Sequence, residues 1–156
     1  MNSQELGNAE LVFEKDFICI KFEDGLICNY YWGGDKSWFL NGERHREDGP
    51  AMEQANGHKE WYLNGKRHRE DGPAIEWSSG DKEWFLNGKR HREDGPAIES
   101  RNGGKHWYRN GKLHSEDGPA IESRNGDKHW YLNSKKLSHS EWKLRKSFGF
   151  KNPTQL

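Results

Sequence analysis

Apolar residues are scarce in this chain. Of its 156 residues, 31% are hydrophobic and 32% charged, which is poor material for a deep globular core. No apolar run approaches the roughly 20 residues needed to cross a bilayer. Cysteine is nearly absent: Cys19 and Cys28 are too few for a disulfide framework or a zinc signature. The opening stretch MNSQELGNAE has neither a basic n-region nor an apolar h-region, so no secretory signal is expected. Net charge is missing too, with 25 basic against 25 acidic residues. That excludes the overall basic field of most nucleic-acid binders. These absences predict a single cytoplasmic domain with free thiols and no membrane association.

The charge balance hides a gradient. Residues 1–24 carry six acidic against two basic side chains, and residues 133–156 carry six basic against one acidic. Such ends could associate head to tail, or simply be solvated.

Large aromatics are what the chain has in quantity, including eight Trp. Few apolar residues, but large and regularly placed ones, suit a thin layered structure and argue against disorder. The stretch WYLNGKRHREDGPAIE begins at Trp61, and close copies begin at Trp38, Trp84, Trp107 and Trp130. Asn-Gly recurs from Asn41 to Asn110 and Asp-Gly-Pro-Ala from Asp48 to Asp117, with Asn133-Ser134 as a worn last copy; the period is 23 residues. A period in this range signifies a stacked repeat, because one unit cannot bury its apolar face alone.

Asn-Gly between short alternating runs is a strong hairpin signal, since both residues tolerate the positive φ of a type I′ turn. Centring the turn on Asn64-Gly65 predicts the pairs Leu63–Lys66, Tyr62–Arg67, Trp61–His68, Glu60–Arg69 and Lys59–Glu70. The next copies give Glu83–Arg92 and Lys82–Glu93, then His106–Ser115 and His129–Ser138, so both partners change together. A second hairpin, centred on two-residue turns such as Asn102-Gly103, predicts Met52–Trp61, Ile75–Trp84, Ile98–Trp107 and Ile121–Trp130. It leaves Glu53–Glu60 and Glu76–Glu83 as like-charge pairs. Proline cannot close a two-residue hairpin, so Asp71-Gly72-Pro73 is expected to form a wider bend.

Strand alternation then predicts two faces. Ile75, Trp84, Leu86 and His91 form a packed one. Phe85, Arg90, Arg92 and Glu83 form a wet, aromatic and charged one. Residues 1–35 are read as cap strands around Asp24-Gly25 with a degenerate half repeat, 36–139 as the repeats, and 140–156 as a second cap with a basic tail. That cap is a helix or a last strand, its Trp142, Leu144, Phe148 and Phe150 covering the final edge.

The pattern W-[YF]-x-N-G-K-x-H with a second turn glycine resembles the MORN (membrane occupation and recognition nexus) repeat over about residues 36–133. It departs from that pattern at His68-Arg69-Glu70-Asp71-Gly72-Pro73-Ala74, where the family has H-G-x-G. This variant is similar to arrays encoded by bacteriophages, giant viruses and some bacteria. The resemblance implies an all-β fold: an elongated, twisted antiparallel sheet of stacked hairpin repeats with capping ends. It also implies a scaffold or binding surface, and specifically a phage-encoded inhibitor of a host defence system. Lipid binding does not carry over, because no basic amphipathic helix or apolar stripe is legible.

His45, His68, His91 and His114 resemble a ligand set, but strands ~4.8 Å apart hold successive copies too far apart for one ion with bonds of about 2 Å. Packing on the opposite Trp, with a hydrogen bond into the Asp-Gly-Pro bend, is the expected role. His68 and Asp71 have no consistently placed nucleophile beside them, and the glycines sit in turns rather than in a phosphate loop. No catalysis and no cofactor are expected. The candidate binding residues are Tyr62, Arg67, Arg69, Phe85, Arg90, Arg92 and Tyr108. Arg beside Tyr suits a protein interface, and also suits base stacking with phosphate contacts. The same residues would equally stabilise an exposed sheet. A protein partner is the first expectation and a nucleic acid or signalling nucleotide the second. Glu53, Glu76, Glu99 and Glu122 interrupt the basic stripe and weigh against the second.

Overall fold

The computed structural model describes residues 3–6 and 9–149. The fold is all-β with one C-terminal helix, and its contacts fall into two compact units, residues 1–78 and 79–156.

The first unit opens with a meander of five antiparallel strands: β1 (Ser3–Leu6), β2 (Ala9–Phe13), β3 (Phe17–Phe22), β4 (Leu26–Tyr31) and β5 (Lys36–Leu40). β3 and β4 flank Asp24-Gly25 as expected. Gly25 takes φ +84, and the Asp24 carboxylate accepts the Leu26 N–H at 2.9 Å. The repeats then begin. β6 (Glu43–Arg44) folds back on β5, and β7 (Met52–Glu53) pairs with β5 from further along. β8 (Lys59–Glu60), β9 (Tyr62–Leu63), β10 (Lys66–Arg67) and β11 (Ile75–Glu76) complete the unit.

Each repeat therefore has two parts. A two-residue strand such as β8 belongs to the main sheet, between β7 and β11. The next residue, Trp61, gives its N–H to Ala74 O at 2.9 Å. The chain then bends into a separate small hairpin, β9–β10. The Asn-Gly turn is as predicted: Asn64 has φ 48 and Gly65 φ 71, Leu63 faces Lys66 and Tyr62 faces Arg67. His68 N donates to Trp61 O at 3.1 Å.

Beyond Trp61 the predicted register fails. Glu60 faces Ile75 and Lys59 faces Glu76, not Arg69 and Glu70. The Asp-Gly-Pro bend returns the chain beside residue 60 six residues later than a continued hairpin would, with Ile75 rather than Arg69 opposite Glu60.

The second unit repeats the plan with β12 (Lys82–Glu83), β13 (Phe85–Leu86), β14 (Lys89–Arg90), β15 (Ile98–Glu99), β16 (Lys105–His106), β17 (Tyr108–Arg109), β18 (Lys112–Leu113) and β19 (Ile121–Glu122). β12 pairs with β15, so Glu83 faces Ile98 and Lys82 faces Glu99 rather than Arg92 and Glu93. His106 faces Ile98 and Ile121, not Ser115.

The other turns are also corrected. Met52 faces Glu60, Ile98 faces His106 and Ile121 faces His129; none faces a Trp. The cause is an extra loop residue. Gly103 N donates to Ser100 O at 2.8 Å, Ser100 N donates to Gly104 O at 2.9 Å, and Gly103 takes φ +95. That is a three-residue loop with a left-handed glycine, which shifts pairing by one. The shift removes the like-charge mismatch: Glu53 faces Lys59, Glu99 faces Lys105 and Glu122 faces Lys128.

The last copy has longer strands, β20 (Lys128–Leu132) and β21 (Lys135–Leu137), and ends in helix α1 (His139–Phe148). Ser138 and Glu141 form a capping box, and Gly149 closes the helix in the left-handed region. α1 covers the final hairpin with fewer side chains than expected. The Trp142 ring lies 6.3 Å from Trp130, and Arg145 is buried, while Leu144 and Phe148 are exposed. Phe150 lies outside the described residues. No described helix is long and apolar enough to cross a membrane.

The core is thin. Ala51, Ala74, Ala97 and Ala120, the last residues of the four Asp-Gly-Pro-Ala bends, are 0% exposed. In the first unit Cys28, Trp38 and Ala51 pack with Ile20, Leu26 and Tyr62. Both thiols are free.

Candidate functional site

The candidate residues divide into two arrangements. Tyr62 and Arg67 lie on the small hairpin of the first unit, where Arg44 and Arg67 place guanidinium carbons 5.5 and 5.8 Å from the Tyr62 ring centre. In the second unit Arg90 lies 5.5 Å from the Phe85 ring and 5.7 Å from Tyr108. Phe85 is buried at 6% exposure, so this face is not uniformly wet. Its arginines are also anchored. Arg67 Nε donates to Glu60 at 2.9 Å and Arg90 Nε to Glu83 at 3.0 Å.

Glu60 is 6% exposed and accepts from Tyr62 OH at 2.6 Å as well as Arg67. His58 Nε2 lies 2.9 Å from its other oxygen. Burial alone pushes the carboxyl up, but the hydrogen bonds from Tyr62, His58 and Arg67 outweigh it and hold Glu60 below its ordinary range. Burial, with the Glu60 hydrogen bond second, raises the Tyr62 phenol.

Arg69 and Arg92 belong to a different arrangement, one that periodicity alone did not show. Arg46, Arg69 and Arg92 stack on Trp38, Trp61 and Trp84 at 4.1, 4.1 and 4.0 Å. Each spans its own bend. Arg69 donates through Nε to Asp71 at 2.9 Å and through Nη1 to Glu76 at 3.1 Å and Pro73 O at 3.2 Å. Arg92 does the same to Asp94, Glu99 and Pro96 O. The guanidinium hydrogen bond holds the carboxyls of Asp71 and Asp94 below their ordinary value.

The histidines act across repeats rather than into the bend. His45 Nδ1 accepts the backbone N–H of Asn64 at 3.2 Å, and His91 and His114 do the same with Asn110 and Asn133. The same Nδ1 lies 2.9 Å from Asn64 Oδ1, and Nε2 faces the glutamate two residues on, at 3.7 Å for Glu47.

A residue outside the candidate set departs from its neighbours. Asp35 and Asp81 each accept a backbone N–H 20 residues on, from Ala55 at 2.8 Å and Arg101 at 2.7 Å. His58 stands at the equivalent place in its own repeat. It lies 4.4 Å under Trp77 and its Nδ1 is buried without a partner among the described residues. The only sequence signal is that His58 stands where Asp35, Asp81 and Asp127 stand in other copies, Gly104 being the other departure.

No family model matches the chain, and no curated protein matches its sequence.

Proposed function

We propose that this chain is a non-enzymatic hairpin-repeat protein, MORN-like in its repeat, that binds another protein as a scaffold or an occluding inhibitor. The observation that carries the reading is Tyr62, a partly buried ring held between Arg44 and Arg67 on a hairpin outside the main sheet. A preorganised aromatic with cations on it is the composition of interface hot spots. A phage-encoded inhibitor of a host defence protein remains the specific form that the repeat's resemblance suggests.

Nucleic-acid binding is the weaker reading, because Glu60 and Glu83 neutralise Arg67 and Arg90 where phosphates would have to compete. The test is a photo-crosslinker placed at Lys66 or Lys89, beside the ladder. The expected result is one stoichiometric protein adduct, reduced by Tyr62→Ala and Tyr108→Ala. Oligonucleotide binding with a steep salt dependence that those changes leave intact, or substrate turnover lost with one residue change, would sink the reading.

A further inference from the structure

Two grooves among the described residues are versions of one another, and a basic helix walls one of them. In the first unit a groove of about 610 Å³ is lined by the carboxylates of Glu47, Asp48, Glu70 and Asp71, by Trp61 and Leu63, and by Arg46 and Arg69. Three repeats on, the counterparts Glu116, Asp117 and Leu132 line a groove of about 380 Å³. Its other wall is α1, through Trp142, Arg145 and Lys146. α1 starts where an earlier repeat would place its next Arg-Glu-Asp bend.

In the walled copy a cation of α1 stands at the bend aspartate, where Ser115 replaces the arginine of earlier repeats. Lys146 Nζ lies 3.4 Å from Asp117 O, 3.6 Å from its carboxylate and 5.2 Å from the Trp142 ring centre. The Glu116 side chain is 38% exposed, against 84% for Glu47 and 86% for Glu70. In the first unit Arg46 and Arg69 already hold Asp48 and Asp71. Glu47 and Glu70 have only a histidine Nε2 at 3.7 Å among the described residues. Their charge is left for an outside cation, above Leu63 and the Trp61 indole, on which Arg69 also stacks.

The geometry points to the Trp61–Leu63 groove as a docking site for a basic helical segment of the protein partner. That segment carries an aromatic ring three and four residues ahead of two cations, as Trp142 precedes Arg145 and Lys146. The inference rests on the protein-binding reading and names the partner's chemistry. Charge complementarity fixes orientation and speeds encounter, while the indole and Leu63 supply the desolvated contact.

The test titrates the full chain into a labelled peptide of residues 138–149, read by fluorescence anisotropy. Saturable binding is expected, weakened by salt and absent for a peptide with Lys143→Glu, Arg145→Glu and Lys146→Glu. Glu47→Gln with Glu70→Gln should weaken it about tenfold. Both carboxylates are exposed, so an unchanged thermal melt will show that the variant is folded. No binding, binding unaffected by that pair, or binding lost with Glu116→Gln alone overturns the inference; the last means that the peptide merely displaces α1. Self-association of the unlabelled chain that the double change abolishes also overturns it, making a second copy the occupant. If the peptide fails while the crosslinker beside Tyr62 still captures one protein, the binding reading stands and only this inference falls.

Discussion

Glu60 shows how a single residue couples the small hairpin to the main sheet. It sits on β8, and Tyr62 and Arg67 on the hairpin both bond to it. Glu60→Gln weakens the Arg67 bond and should cost about 2 kcal/mol in urea melts at pH 7. Its folded pKa is depressed, so its contribution is present above the unfolded value of about 4.3. That contribution fades as pH falls through the lower folded value. The gap between wild type and Glu60→Gln should therefore close on acidification.

The bend glycines make a second case at this scale. A Cβ on Gly95 would lie 3.0 Å from the Arg92 guanidinium carbon, whereas one on Gly118 meets nothing within 4 Å, because Ser115 replaces the arginine there. Gly95→Ala should cost about 1–2 kcal/mol by pushing Arg92 off Trp84, and Gly118→Ala close to nothing. Equal melts for the two variants would contradict this account of the Asp-Gly-Pro motif.

At the scale of the element, turn chemistry sets the register. The Asn-Gly hairpins were legible because two positive-φ residues specify one turn type. The three-residue loops are not, since Asn102-Gly103 reads as the same dipeptide while Arg101 joins the loop and Ser100 pairs with Gly104. The predicted Glu53–Glu60 clash was the available signal for the correct shift. Helix α1 depends on its cap: Ser138 accepts from Glu141 N at 3.1 Å, and Glu141 accepts from Ser138 N at 2.7 Å. Ser138→Ala should cost about 1 kcal/mol. Its checkable consequence is faster amide exchange in α1 than in β20.

At the scale of the whole molecule, the repeat is the unit of change. Contacts run between neighbouring copies, so stability is approximately a sum over repeats and their interfaces. Removing residues 93–115 takes out one full period and joins Arg92 to Glu116, keeping a basic residue beside Asp117. That variant should fold, with one cooperative melt at lower temperature. Removing 93–103 takes out half a repeat, including β15, and should abolish the cooperative melt.

The sequence by itself determined the period, the all-β class, the Asn-Gly hairpins and the neighbouring positions of Tyr62 and Arg67. Those are local matters of turn conformation, alternation and spacing. Only the tertiary structure decided where each hairpin ends and what the arginines do. Tyr62 and Arg67 share a face because they pair directly. Arg69 and Arg92 leave that face because Trp61 and Trp84 sit at a corner, where the N–H of Trp61 is claimed by Ala74. A one-residue register shift and a proline-closed bend depend on which backbone groups find partners, and the hydrophobic pattern does not encode that.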